Sequence, residues 1–224
     1  MFESLKRIII VTGHYGSGKT NLSVNLALDL KRAGKEVTLV DLDIVNPYFR
    51  SADFKELMNK NGISMITPTF ANTNLDIPSI SINLNGVIHD KNRVTILDVG
   101  GDDAGAAALG GYARSILDTG DYTMLYVVNR YRYLTQSTQE AVQILREIET
   151  TSRLKATHIV NNSNLAFTTT KEDIERSAEY AKEIAKECGL PLWGSSVMKE
   201  VAKQLNDMPG IYPVEIYVRT IWNQ

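Results

Sequence analysis

Six short runs of apolar, largely β-branched residues constrain the fold most: 7–12, 37–41, 63–66, 94–98, 122–128 and 157–160. They read as continuous apolar segments, with no alternation of apolar and polar residues. A strand of that kind is covered on both faces, as in a parallel sheet between helical layers. The intervening segments supply those helices. Leu22, Leu26 and Leu30 recur at four-residue spacing within 19–33, which ends at Gly34, a natural C-cap. Ser137 with Glu140 forms a capping-box pattern ahead of Ile144, Leu145 and Ile148. Thr170 precedes the acidic turn Glu172-Asp173 of a helix that runs to Gly189. Residues 190–193 are expected to add a short last strand and 197–205 a fourth helix. At 224 residues the chain suits one α/β domain spanning 1–224.

Two segments resist this pattern. Residues 67–92 are polar, rich in Asn and Ser, and contain Pro68 and Pro78. That is too long for a plain connection, so a short helix is expected near 79–88, with a contact surface or a variable surface excursion as the two alternatives. Residues 211–222 are apolar enough to dock on the core, but no secondary structure can be assigned to them.

Within the first strand–helix junction lies Gly13-His14-Tyr15-Gly16-Ser17-Gly18-Lys19-Thr20, which satisfies G-x-x-x-x-G-K-S/T. Glycines let the backbone turn its N–H groups inward as an anion nest, and the following helix adds its partial positive N-terminus. Lys19 can reach the β- and γ-phosphates, and the Thr20 hydroxyl can ligate Mg²⁺. An accidental match arises in roughly one chain per hundred. The apolar strand before the motif and the amphipathic helix after it therefore decide in favour of a phosphate site. Asp98 closes one buried strand and is followed by Val99-Gly100-Gly101, while Asp41 and Asp43 close another. Acids at those strand ends can hold Mg²⁺, so Thr20, Asp41 and Asp98 are the candidate metal residues.

Other functions are disfavoured. Lys and Arg total 24 against 26 for Asp and Glu, without the basic excess of a general nucleic-acid or membrane-surface binder. No apolar run approaches the ~20 residues that span a bilayer. Residues 1–7 lead directly into a strand, so a signal peptide is not expected. The only cysteine, Cys188, excludes an internal disulfide and metal sites built on cysteine pairs. A cytoplasmic location fits.

Together, the loop 13–20, Val40-Asp41-Leu42-Asp43 and Leu97-Asp98-Val99-Gly100-Gly101 resemble the MinD/ParA-like branch of P-loop ATPases, which also includes CobQ/CobB-type amidoligase domains. The stretch Asp41-Leu42-Asp43-Ile44-Val45-Asn46-Pro47-Tyr48-Phe49-Arg50 resembles a poorly characterised group within that branch. The resemblance implies a three-layer α/β P-loop NTPase fold with a mostly parallel central sheet, binding ATP and Mg²⁺. It implies that Asp43 positions the attacking water and Asp98 organises Mg²⁺. It also implies that Asn161, or alternatively Asn162, reads the base, with Gly194-Ser195-Ser196 on the base's other side. Neither Asn161-Asn162-Ser163-Asn164 nor Asn129-Arg130-Tyr131-Arg132 offers the acid of a guanine-reading N-K-x-D pattern, which favours ATP.

One position departs from the family. Where MinD and ParA carry a lysine that crosses a dimer interface, this chain has His14, a shorter and mostly neutral group. The family's ATP-sandwich homodimer is therefore not carried over unchanged, and Arg50 or Arg114 are alternative sources of the charge. Residues 100–112 form either a γ-phosphate-sensing switch or a packed Ala-rich helix opening with the acids Asp102 and Asp103. The resulting expectation is an ATPase switch with an unidentified protein client. The alternatives are a carboxylate-activating amidoligase and a nucleotide sensor with little hydrolysis.

Overall fold

The structure is a computed structural model that describes residues 2–43, 52–67, 84–205 and 207–218. Eight strands form one sheet: β1 Ile8–Gly13, β2 Val37–Leu42, β3 Ser64–Ile66, β4 Val94–Val99, β5 Tyr122–Val128, β6 His158–Asn161, β7 Leu192–Met198 and β8 Ile211–Val214. Their order is β3-β2-β4-β1-β5-β6-β7-β8, and every pairing is parallel. Helices α1 Lys19–Arg32, α2 Ala52–Lys60, α3 Leu84–His89, α4 Asp103–Gly110, α5 Ala113–Thr119, α6 Thr138–Ser152, α7 Lys171–Cys188 and α8 Lys199–Ala202 accompany it. The α/β three-layer fold follows the sequence pattern, with the sheet wholly rather than mostly parallel.

The continuous apolar strands have the expected cause. Along β1, Ile8 and Ile10 enter a core with residues of α4, α6 and α7, such as Leu109, Leu145 and Ile184. Ile9 and Val11 enter a second core with Leu22 and Leu26 of α1 and Met58 of α2. All four are fully buried, so alternate side chains face opposite helical layers. The connection from β1 leads to β2 and that from the adjacent β4 leads to β5, so the two leave toward opposite halves of the sheet. Such a switch point opens a crevice at the strands' carboxyl ends.

The C-terminal third corrects three expectations. The strand expected at 190–193 runs from Leu192 to Met198, through the Gly-Ser-Ser sequence read as a loop. The helix expected at 197–205 is accordingly only α8, and Val197 belongs to the strand. Residues 211–214, which carried no assignment, form the edge strand β8, where Pro213 is tolerated because edge strands leave one row of N–H groups unpaired. The tail beyond β8 docks on α1. The Asn25 amide donates to the Glu215 carbonyl at 2.9 Å and accepts from the Glu215 N–H at 2.9 Å. Asn21 Oδ1 accepts from the Tyr217 N–H at 2.8 Å. The short helix expected near 79–88 corresponds to α3, and its first part lies outside the described residues, as does Arg50. Among the described residues no helix is long and apolar enough to cross a membrane.

Candidate nucleotide site

The loop between β1 and α1 is held open by backbone shape. Gly18 is the N-cap residue of α1 with φ 90°, and no side chain caps the helix there. Its first turn contains no acid, so the α1 amides remain directed at whatever the loop encloses. A Cβ on Gly13 would strike the Val127 carbonyl oxygen of β5, and one on Gly18 would strike the Asn162 side-chain amide. Both positions are thereby closed to other residues, independently of any ligand. Lys19 is 7% exposed and donates to the His14 carbonyl at 3.1 Å. Burial lowers its pKa, while Asp98, Asp43 and Asp102, in that order, raise it. The buried Ser17 hydroxyl at the loop has no hydrogen-bond partner among the described residues. A buried cation, an uncapped helix start and an unpartnered hydroxyl on one glycine-rich turn fit a polyphosphate. His14 is half-buried, and burial followed by the nearby Lys19 charge lowers its pKa. Both effects favour its neutral form.

On the β4 side the loop faces acids. Asp41 and Asp98 are register partners on β2 and β4. Asp98 is buried, and burial first, then the Asp41 charge, push its pKa up to about 7. Hydrogen bonds from the Thr20 and Ser23 hydroxyls oppose that shift, the Ser23 bond at 3.1 Å. Asp41 accepts from the Asp43 N–H at 2.8 Å, which fixes the turn at the end of β2. Two adjacent acids beside the Thr20 hydroxyl form a donor set that a divalent cation would relieve of its repulsion. Among the described residues no three His, Cys, Asp or Glu side chains converge as a self-contained metal cage. Mg²⁺ needs none, because it is commonly held by one or two carboxylates plus phosphates and water.

The Asp98 strand leads into Gly100 and Gly101. A Cβ on Gly101 would stand 2.6 Å from the Tyr15 backbone and 2.7 Å from Lys19 Nζ. This segment therefore packs directly on the phosphate loop. Asp102 then caps α4, accepting from the Gly105 N–H at 2.8 Å. Residues 100–112 include an Ala-rich helix, and Gly101 just ahead of it packs on the loop.

On the β6 side the two asparagines diverge. Asn161 is buried, and its amide donates to the Ser177 and Ser195 hydroxyls at 3.1 Å each. Asn162, one residue on, donates from Nδ2 to the Ser17 carbonyl at 2.6 Å and accepts from the Ser196 hydroxyl at 2.5 Å. Consecutive residues at a strand end point to opposite faces, so Asn161 turns toward α7 and Asn162 toward the phosphate loop. A register shift aids this arrangement. Ile159 pairs with Leu192 but Val160 pairs with Gly194, which sets Ser195 and Ser196 beside the two asparagines. Those serines thus lie in strand β7 rather than in the expected loop.

Ser23 and Arg132 were given no role from sequence. Ser23 lies one helical turn after Lys19 and was available to a periodicity argument. Arg132 comes from a remote segment and gave no local signal.

A model of the CobQ/CobB/MinD/ParA nucleotide-binding domain matches residues 8–207. No curated protein matches in sequence. Among solved structures, cell division protein FtsY from Thermotoga maritima is similar at 21% identity and a TM-score of 0.55, covering 85% of this chain and 61% of that one. FtsY from Mycoplasma mycoides gives 17% identity and a TM-score of 0.59, with 85% and 59% covered. The signal recognition particle 54 kDa protein from Aeropyrum pernix, solved in complex with GDP, gives 16% and 0.53, with 84% and 40% covered. This chain spans less than two thirds of these neighbours' lengths, and at such identities the likeness concerns the fold alone. The domain match takes in β1 with its phosphate loop, the acid-bearing strands β2 and β4, and the Asn162 strand end, so this chain belongs to the CobQ/CobB/MinD/ParA nucleotide-binding domain family.

Proposed function

We propose that this protein is a Mg²⁺-dependent ATPase that uses ATP binding and hydrolysis as a conformational switch. The observation that carries this reading is the buried Lys19, held in a glycine-rich turn within the field of Asp98, Asp43 and Asp102. The α1 amides and Lys19 would bind the β- and γ-phosphates, so catalysis is mainly positioning and charge stabilisation. Thr20, Asp98 and Asp41 would hold Mg²⁺, which neutralises and orients the phosphates. Asp43, beside Gly100 at the end of β2, would position the attacking water. The contact between Gly101 and the loop gives γ-phosphate occupancy a direct route to α4. Asn162, facing the loop, is better placed for the base side than Asn161.

Adenine is favoured because residues 161–164 carry no acid to accept from guanine. The GDP-bound neighbour from Aeropyrum pernix makes GTP the necessary competitor. A second reading, an ATP-dependent carboxylate-activating enzyme, draws support from His14, which stands where MinD and ParA carry a lysine. The test is phosphate release with Mg-ATP and Mg-GTP, comparing wild type with Lys19→Ala. Preferential ATP turnover abolished by the substitution supports the switch. Turnover only with a carboxylate acceptor supports the second reading, and binding without any turnover would sink both.

A further inference from the structure

We infer that Arg132, in the β5–α6 connection, grips the nucleotide's phosphate chain from the side of the loop opposite the acids. This rests on the phosphate-site reading above. A Cβ placed on Gly16 would lie 3.4 Å from Arg132 Nε and 3.6 Å from its Cζ, so the guanidinium lies against the loop itself. Gly16 has φ 72°, a left-handed conformation that suits glycine, and the missing side chain lets the arginine approach this closely.

The acids sit on β2 and β4, whereas Arg132 follows β5 on the other flank of β1. The polyphosphate would therefore have Thr20, Asp41 and Asp98 on one side and a permanent cation on the other. Arginine suits that place because it stays charged and offers a planar fork of donors to phosphate oxygens. Arg7, Arg32, Arg93 and Arg146 each have a carboxylate partner, but Arg132 has none among the described residues. Arg130, two residues earlier, is already occupied over the Tyr180 ring.

The connection that carries Arg132 is built to stay fixed. The Thr135 hydroxyl donates to the Asn129 carbonyl at 2.8 Å, and the Tyr131 N–H donates to Asn129 Oδ1 at 3.0 Å. The Tyr180 hydroxyl donates to the Thr135 carbonyl at 2.5 Å, and the Arg130 N–H donates to the Ser163 hydroxyl at 2.9 Å. Leu134 is held at φ 65°, a conformation that a branched side chain adopts only when its surroundings impose it. A side chain carried on such a loop needs little ordering on binding.

On this flank the cation meets the phosphate chain away from the acids. It should therefore strengthen diphosphate and triphosphate binding alike, rather than act only in turnover. Arg132→Met keeps the aliphatic stem on Gly16 and removes the charge, Arg132→Lys keeps a charge, and Arg130→Met serves as a control. Titration calorimetry with Mg-ADP and a non-hydrolysable Mg-ATP analogue (guanine counterparts if wild type prefers them) should show both affinities weakened about tenfold in Arg132→Met. Arg132→Lys should recover part of the loss, and the control should match wild type. Unchanged affinities in Arg132→Met, alongside lost binding in Lys19→Ala, would overturn this role and leave the phosphate site standing. A loss confined to the triphosphate analogue, or to kcat, would also overturn it. If wild type binds neither nucleotide, the phosphate-site reading fails and the inference falls with it.

Discussion

The two flanks of β1 meet the same loop with opposite chemistry. Toward β4 and β2, Asp98 and Asp41 sit side by side, and burial with mutual repulsion lifts Asp98 to about 7. Toward β5, β6 and β7, Asn161, Asn162, Ser177, Ser195 and Ser196 satisfy one another in neutral hydrogen bonds. The acid flank is costly by itself and gains from a cation. The amide flank is already satisfied and holds the loop in shape. Electrostatic strain is thus concentrated on the acid flank, the proposed cation site, and satisfied hydrogen bonding on the amide flank.

The largest effect that would test this contrast is at Asp98. Its folded pKa lies above the ordinary carboxylate value of 3.8. Between about pH 4 and pH 7 the folded state therefore holds a proton that the unfolded chain has released. In the metal-free protein the contribution of Asp98 to stability should therefore fall as pH rises through that window, by an amount on the order of a few kcal/mol relative to Asp98→Asn. Asp98→Asn should abolish Mg-nucleotide binding yet melt higher than metal-free wild type, with a gap that widens from pH 5 to pH 8. A variant less stable than wild type at pH 8 would break the comparison.

A smaller effect is expected on the amide flank. Asn162→Ala leaves the buried Ser17 carbonyl and the Ser196 hydroxyl without their partner and should cost about 1–3 kcal/mol in denaturant unfolding. It should also weaken nucleotide affinity, because the brace at Ser17 is lost. Asn161→Ala should cost a similar amount while leaving affinity near wild type. Equal affinity losses in the two variants would show that they do not divide the work as their faces suggest.

The smallest effect belongs to Asp102, whose cap on α4 is worth about 1 kcal/mol in Asp102→Ala. If α4 couples to the γ-phosphate, hydrogen exchange over residues 103–110 should differ between ADP and ATP states in wild type, and less in the variant. Identical exchange in both states would reduce Asp102 to a helix cap.

Much of this was legible before any coordinates. The apolar runs required a doubly covered parallel sheet. The capping box at Ser137–Glu140, and Thr170 ahead of the acidic turn Glu172-Asp173, marked the true starts of α6 and α7. The eight residues from Gly13 to Thr20 carried the phosphate chemistry, because a tight turn, a helix start and a lysine are encoded within one short segment. These features depend on neighbours within a few positions, which sequence spacing reports directly.

Tertiary structure decided the rest. The choice between Asn161 and Asn162 depends on which way a strand end faces, and a strand boundary read from sequence is too imprecise to fix that parity. The register shift at Ile159–Val160 carries β7 through Gly194-Ser195-Ser196, a sequence whose local chemistry suggests a loop. Pro213 disguises β8, which exists only because β7 offers it an edge. Arg132 reaches Gly16 across more than a hundred residues, and no local pattern distinguishes it from a surface arginine. Sequence determined the scaffold and the phosphate cradle through short-range geometry. The pairing of strands, which brings remote side chains to a single carboxyl edge, decided what surrounds that cradle.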